Sequence, residues 1–278
     1  MSWRRYWEGE TPVYVNDRHR IAHYRLIARA LVSLVRRTDA HVLDYGSGEA
    51  LFAADIAKSC GKLYLLDGAA RVRDGLQQRL GQTGKVAVLS PEEIETIPDA
   101  SLDLAVLNSI LQYLGPEERD RVLAVIRRKL RASGELVVAD IIPRHIGPVQ
   151  DASALLGFAA RSGFLPGAAA GLVRTYFSSY RTARAAYGLA HYDAGEMVEI
   201  LARAGFSARP APRNLGHNPH RLALVARRAG ASHPPRLAAG EWAGWPWRCP
   251  PVTEAACVPR TGRPSLPPPL FPATPLTP

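Results

Sequence analysis

From residue 40 onward the chain alternates between short continuous apolar runs and longer stretches with apolar residues at helical spacing. The short runs predict strands at 41–45, 62–66, 86–89, 102–107 and 136–142, and the longer stretches predict helices at about 49–59, 69–80 and 117–131. Gly61, Gly81 and Gly134 follow these helices as stop signals. The alternation breaks over 144–192, which is rich in Ala, Gly, Leu and aromatics and carries no strand pattern. Two helices inserted after strand five are expected there, as a lid. Regular winding resumes at Asp193, which with Glu196 matches a capping box, and Gly205 ends that helix. Strands at about 206–211 and 221–226 are joined by a loop with no crossover helix, so they should run antiparallel. Ahead of the core, Ile21, Tyr24, Ile27, Ala28, Leu31 and Val35 mark an amphipathic helix. The expected architecture is an α/β doubly wound sheet of seven strands, mostly parallel with an antiparallel last strand, and a helical insertion after strand 5.

Composition adds a boundary and removes some functions. The residues from 229 to 278 hold 13 of the 23 prolines without periodicity, too little apolar surface to offset ordering entropy, so a disordered Pro-rich tail is expected. The organisation is then a helical cap at 1–39, a domain at 40–228 with its lid at 144–192, and the tail at 229–278. Apolar residues make up 47% and charged residues 22%, as in a soluble domain. The first residues are too polar for a secretory signal, and no apolar run approaches the roughly 20 residues of a membrane span. Peripheral membrane contact stays open. Three cysteines without ligand spacing predict neither a disulfide framework nor a metal site and point to a reducing cytoplasm. The net charge of +10 comes from dispersed arginines rather than a compact basic motif with interleaved aromatics, which disfavours nucleic acid as a partner.

The candidate chemistry begins in His41-Val42-Leu43-Asp44-Tyr45-Gly46-Ser47-Gly48-Glu49-Ala50, a strand, a tight turn and a helix start. Gly46 and Gly48 allow a ligand to lie against the backbone at the strand's carboxyl edge. A dinucleotide site wants a third glycine where Leu51 stands, and a strand-end acid is unwelcome beside a pyrophosphate. Asp44 suits a cationic ligand instead. Leu-Asp-Tyr-Gly-Ser-Gly resembles the first motif of the class I S-adenosylmethionine-dependent methyltransferases, of the bacterial small-molecule type, and the closing antiparallel strand resembles that family's Rossmann-like sheet.

The resemblance implies S-adenosylmethionine as cofactor and a site spread over successive strand ends. Asp44, Gly46, Ser47 and Gly48 would form the first edge; Asp67, followed by Gly68, would hold the ribose diol after strand two. The adenine place after strand three reads Ser90-Pro91-Glu92-Glu93. Proline has no N–H, so Ser90 or Glu92 would make that contact. Asn108, Ser109 and Gln112 after strand four would border the methionine end. The family's N-terminal helices often close over the cofactor, which makes Tyr14, Arg18 and Tyr24 candidates. A general base is needed only for a hydroxyl or ammonium acceptor; His191 and His217 are the candidates. The apolar, aromatic lid favours a small hydrophobic or amphipathic acceptor. A nicotinamide-dependent oxidoreductase and a non-catalytic cofactor-binding module are the alternatives.

Overall fold

The computed structural model describes residues 14–176 and 189–230, together with the backbone of 247–248 and 258–259. Helix α1 (Asp17–Leu34) comes first, its amino end capped by the Asn16 side chain, which accepts from the His19 N–H. Then follow β1 (His41–Tyr45), α2 (Ala53–Ser59), β2 (Lys62–Leu66), α3 (Ala70–Leu80), β3 (Val86–Leu89), β4 (Leu102–Asn108), α4 (Pro116–Lys129) and β5 (Leu130–Ile141). The insertion carries α5 (Pro148–Ser162) and α6 (Leu165–Tyr176), and the domain closes with α7 (Ala194–Arg203), β6 (Phe206–Pro210) and β7 (Leu222–Arg228).

The strands lie in the order β3-β2-β1-β4-β5-β7-β6. The first five pair in parallel, and β7 runs antiparallel to both β5 and β6. The expected fold is therefore present, down to the antiparallel last strand. Central strands covered on both faces read as unbroken apolar runs, which is why β1 and β4 were legible. Some boundaries differ: α2 starts at Ala53 rather than about 49, and β5 at Leu130 rather than 136. The helix expected to reach Arg131 ends at Lys129, because Leu130 is fully buried and pairs with Leu102, while the Lys129 ammonium is held 2.8 Å from Asp99.

Register aligns the carboxyl ends. Tyr45 lies opposite Leu66 and Leu107, and Asn108 lies opposite Ala139, so Gly46, Asp67, Asn108 and Asp140 emerge at nearly one level. Over this edge α1 and the insertion pack together: Phe158, Ala159, Phe164 and Ala168 form a small core with Val15, Ala22 and Leu26. The main core lies on the sheet, where Leu31 of α1 joins Val42, Leu63 and Val106.

The segments 1–13 and 177–188 lie outside the described residues, as does most of the proline-rich tail, so the disorder expected of 229–278 does too. A separate unit, Ala238–Pro278, is described only at an antiparallel pairing of β8 (Trp247–Arg248) with β9 (Val258–Pro259). Among the described residues no helix is long and apolar enough to cross a membrane.

Candidate functional site

The turn after β1 folds toward β2: the N–H groups of Gly46 and Ser47 both donate to the Leu66 carbonyl, at 2.7 and 3.1 Å. Gly46 and Gly48 take positive φ, +79° and +56°. Their lack of a side chain is required twice over, since a Cβ on Gly46 would lie 3.0 Å from Ile110 Cδ1 and one on Gly48 2.7 Å from the Tyr24 hydroxyl. The Gly48 N–H donates to Asp67 Oδ2 at 2.9 Å, and the Ala69 N–H to Oδ1 at 2.9 Å. Asp67 thus ties the two strand ends into one surface.

Helix α1 reaches this surface. The Glu49 N–H donates to the Tyr24 hydroxyl at 2.9 Å, and Arg20 pairs with the Glu49 carboxylate at 2.8 Å. Tyr14 bonds to Tyr24, and burial pushes both phenols up, Tyr14 well above the ordinary value. Arg18 goes elsewhere: it donates to the Gly163 carbonyl at the end of α5.

A cavity of about 1290 Å³ runs along the edge. At one end Asp44 is buried, and that burial, with the Asp67 charge nearby, pushes its carboxyl up to about 7. Burial also raises Asp67, against the lowering effect of the Ala69 and Gly48 N–H groups and of Arg73. Asn108 Oδ1 and Gln112 Oε1 are buried on the same wall with no hydrogen-bond partner among the described residues. This end therefore offers open acceptors, while Arg20 at the glycine turn is paired with Glu49: it suits a cationic ligand with donors.

The other end lies under the insertion and is lined by Ile142, Leu155 and Leu172. Three imidazoles gather there. His19 and His23, one turn apart on α1, stand 6.5 Å apart between ring centres, and His217 from the β6–β7 loop is 6.1 and 6.4 Å from them. Phe158 stacks on His217 at 4.8 Å. Asp140 lies beneath, with φ +57°, where the β5–β7 pairing breaks register between Val138 and Ile141. Its carboxylate accepts from Ser109 Oγ at 2.6 Å and Asn214 Nδ2 at 2.9 Å, and its N–H donates to Asn214 Oδ1 at 2.8 Å. Burial alone would raise the Asp140 carboxyl, but Arg221, Ser109 and Asn214 more than offset it and hold it below its ordinary value. Arg221 is itself paired with Asp151 of α5 at 2.8 Å.

Of the residues expected from sequence, Asp44, Gly46, Ser47, Gly48, Asp67, Gly68, Asn108, Ser109, Gln112 and His217 all line this cavity. Three do not. His191 is half-buried in the stretch before α7, away from the cavity wall. Ser90 closes a local pair, its N–H donating to Glu93 Oε2 at 2.7 Å and its hydroxyl accepting from the Glu93 N–H at 3.3 Å. Glu92 opens the short 3₁₀ turn that follows, and Pro91 is the member of that stretch on the wall. His19, His23 and Asp140 were missed.

A family described as a methyltransferase domain matches residues 43–138, the span that carries the glycine turn, Asp67 and Asn108. Residues 43–138 are thus an S-adenosylmethionine-dependent methyltransferase domain. Magnesium protoporphyrin IX methyltransferase (ChlM) from Synechocystis PCC 6803 with bound SAH is similar at 16% identity, over 82% of this chain and 93% of that one, with TM-score 0.51. The DhpI–SAH complex is similar at 13% identity, over 81% and 95%, with TM-score 0.51. The pyocyanin biosynthetic protein PhzM is similar at 19% identity over 74% of this chain with TM-score 0.49, and the chain spans 55% of its length. At such identities the likeness is one of fold. No curated protein sequence matches the chain. The methyltransferase domain's cofactor is S-adenosylmethionine, and a wall of unpartnered oxygens beside a buried carboxyl suits its cationic methionine end.

Proposed function

We propose that this methyltransferase transfers the methyl group to a small hydrophobic or amphipathic acceptor held under α5 and α6. The observation that carries the reading is the single cavity running from the glycine turn to the apolar, histidine-lined chamber. When bound, S-adenosylmethionine supplies an electrophilic methyl carbon on a sulfonium. The protein's part is alignment and exclusion of water. Asp67 takes the ribose diol: its oxygens keep lone pairs beyond those used by Gly48 and Ala69. Asp44, Asn108 Oδ1 and Gln112 Oε1 receive the ammonium of the methionine end, and Ser47 and Ser109 border it. Gly46, Gly48 and Gly68 let the cofactor lie on the backbone. Tyr24 from α1 and Tyr14 just ahead of that helix close over it, and His217 faces the acceptor.

The test uses a methyl-labelled donor with small-molecule and macromolecular fractions of a cell extract. Label in an organic-extractable small molecule, lost with Asp67→Ala, is the expected result. Label confined to protein or nucleic acid refutes the acceptor class.

A further inference from the structure

Resting on that reading, we infer that the acceptor group is a weakly acidic hydroxyl, a phenol or enol, held by the His23 and His217 imidazoles with His217 taking its proton. His23 and His217 line the same chamber, 6.4 Å apart with ring planes at 74°, and neither imidazole has a hydrogen-bond partner among the described residues. His19, by contrast, is used locally: it accepts from the Val15 N–H. Both are half-buried and line the cavity, so two adjacent imidazoles with free nitrogens present a ligand with a donor and an acceptor side by side. A hydroxyl does both.

Other acceptor groups fit the chamber less well. An anionic group would find the Arg221 charge already matched by Asp151, whose two oxygens both accept from its Nη2, with Nε the guanidinium nitrogen that is buried without a partner among the described residues. An ammonium would find the Asp140 oxygens already filled by Ser109 and Asn214. A carbon acceptor would leave both imidazoles unsatisfied.

The acidity of the hydroxyl follows from the chamber. Burial, with His217 as neighbour, pushes the His23 imidazole down to about 4, and burial also lowers His217. Such bases are neutral at physiological pH but weak. A phenol, ordinarily near 10, lies about six pH units closer to their reach than a water-like hydroxyl near 15.7. The groups facing His217 are His19 and His23 from α1, Asp151 and Arg161 from α5, Asp140 from β5, and Arg221 at the start of β7. Asp140 favours its protonated form, while Arg221 and Arg161 oppose it.

In the transfer the acceptor oxygen bonds to the methyl carbon as the carbon–sulfur bond breaks with its electron pair left on sulfur. The hydroxyl proton passes to His217 and later to water. Asp140, fixed by Ser109 and Asn214, acts as a positioning residue that stabilises the imidazolium, and Phe158 holds the ring from behind.

The experiment pairs a panel of hydroxylated arenes with the matching anilines, thiols and alkanols. Binding of S-adenosylmethionine by the wild type is measured first; no binding sinks the methyltransferase reading itself, whereas binding without transfer to any hydroxylated arene sinks only this inference. Transfer to hydroxylated arenes, with His217→Gln lowering kcat at least about 100-fold at unchanged cofactor affinity, is the expected result. Transfer only to anilines, thiols or alkanols overturns it. Two measurements avoid the risk of a misfolded variant. Histidine resonances of the wild-type protein should shift for His23 and His217 when a hydroxylated arene binds, and not for its methyl ether; equal shifts or none refute the contact. In Asp140→Asn the acid limb of the pH–rate profile should move to lower pH, because the charge that favours the imidazolium is gone; an unmoved limb refutes the role given to Asp140.

Discussion

Asp44→Asn should stabilise the protein while damaging its site, and the pH dependence tests the reason. The Asp44 carboxyl is raised from 3.8 to about 7 in the folded chain, by burial first and by Asp67 second. Between those values the folded state keeps a proton that the unfolded state has released, so stability falls as pH rises, and above the folded value the whole penalty is present. At 1.36 kcal/mol per unit the penalty approaches about 4 kcal/mol, an upper figure for a group that faces a cavity. Asparagine is nearly isosteric and does not ionise. Thermal unfolding of both proteins without cofactor, at about pH 5 and about pH 8, should show the variant's advantage growing by about 2–3 kcal/mol. For a domain of this size that is roughly 5–10 °C in the difference of Tm. Comparing variant with wild type at each pH cancels the other titrating groups. Cofactor binding should respond in the opposite sense. A cationic ligand favours the ionised carboxylate, so wild-type affinity should carry up to about a tenfold loss per pH unit below 7 that the variant lacks. A Tm difference that stays constant with pH, or equal slopes of affinity, would refute the assignment of Asp44.

Asp67→Ala should abolish measurable S-adenosylmethionine binding in a calorimetric titration, since it removes the carboxylate proposed to take the ribose diol and releases the Gly48 N–H together. Gly48→Ala should cost about 1–2 kcal/mol from the left-handed backbone, with more from the Tyr24 hydroxyl, and adding Tyr24→Phe should recover part of the loss in denaturant titration. Asp151→Asn leaves the Arg221 guanidinium without its partner, and about 1–3 kcal/mol of stability should go with earlier proteolytic cutting in α5.

The site was legible where chemistry sits at the end of a buried strand. Asp44, Asp67 and Asn108 each follow an apolar run, and parallel register does the rest by bringing those ends to one level. After β3 the cavity wall is formed by Pro91, and Ser90 and Glu93, three apart, satisfy each other across the 3₁₀ turn. That spacing is itself a capping pattern, which the sequence carries. His19 and His23 could not be placed from periodicity, because the apolar positions of α1 explain its packing and say nothing of what its polar face meets. Their separation of four residues does predict that they share that face. Only the insertion and the β6–β7 loop, folding back over α1, bring Phe158 and His217 against them.

Asp140 and Asp44 show why residue type alone does not give the charge state of such a site. Both are buried carboxyls at the same edge of one sheet. Asp140 is met by Ser109, Asn214 and Arg221 and is held below its ordinary value, so it stays ionised; Asp44 is met by no donor among the described residues, faces Asp67, and is pushed to about 7. The difference is set by what the neighbouring loops supply: the register break in β5 turns Asp140 out of the ladder toward Asn214, whereas Asp44 stays in register between Leu65 and Val106. A permanent negative charge under the imidazoles and an adjustable one beside the glycine turn are what the proposed proton-accepting chamber and the proposed cation-binding edge respectively need. Exchanging the donors should exchange the behaviour. Ser109→Ala with Asn214→Leu should raise the Asp140 carboxyl, visible as a titration moved to higher pH in carboxyl-labelled spectra, and an unmoved titration in that variant would show that Arg221 alone sets its charge.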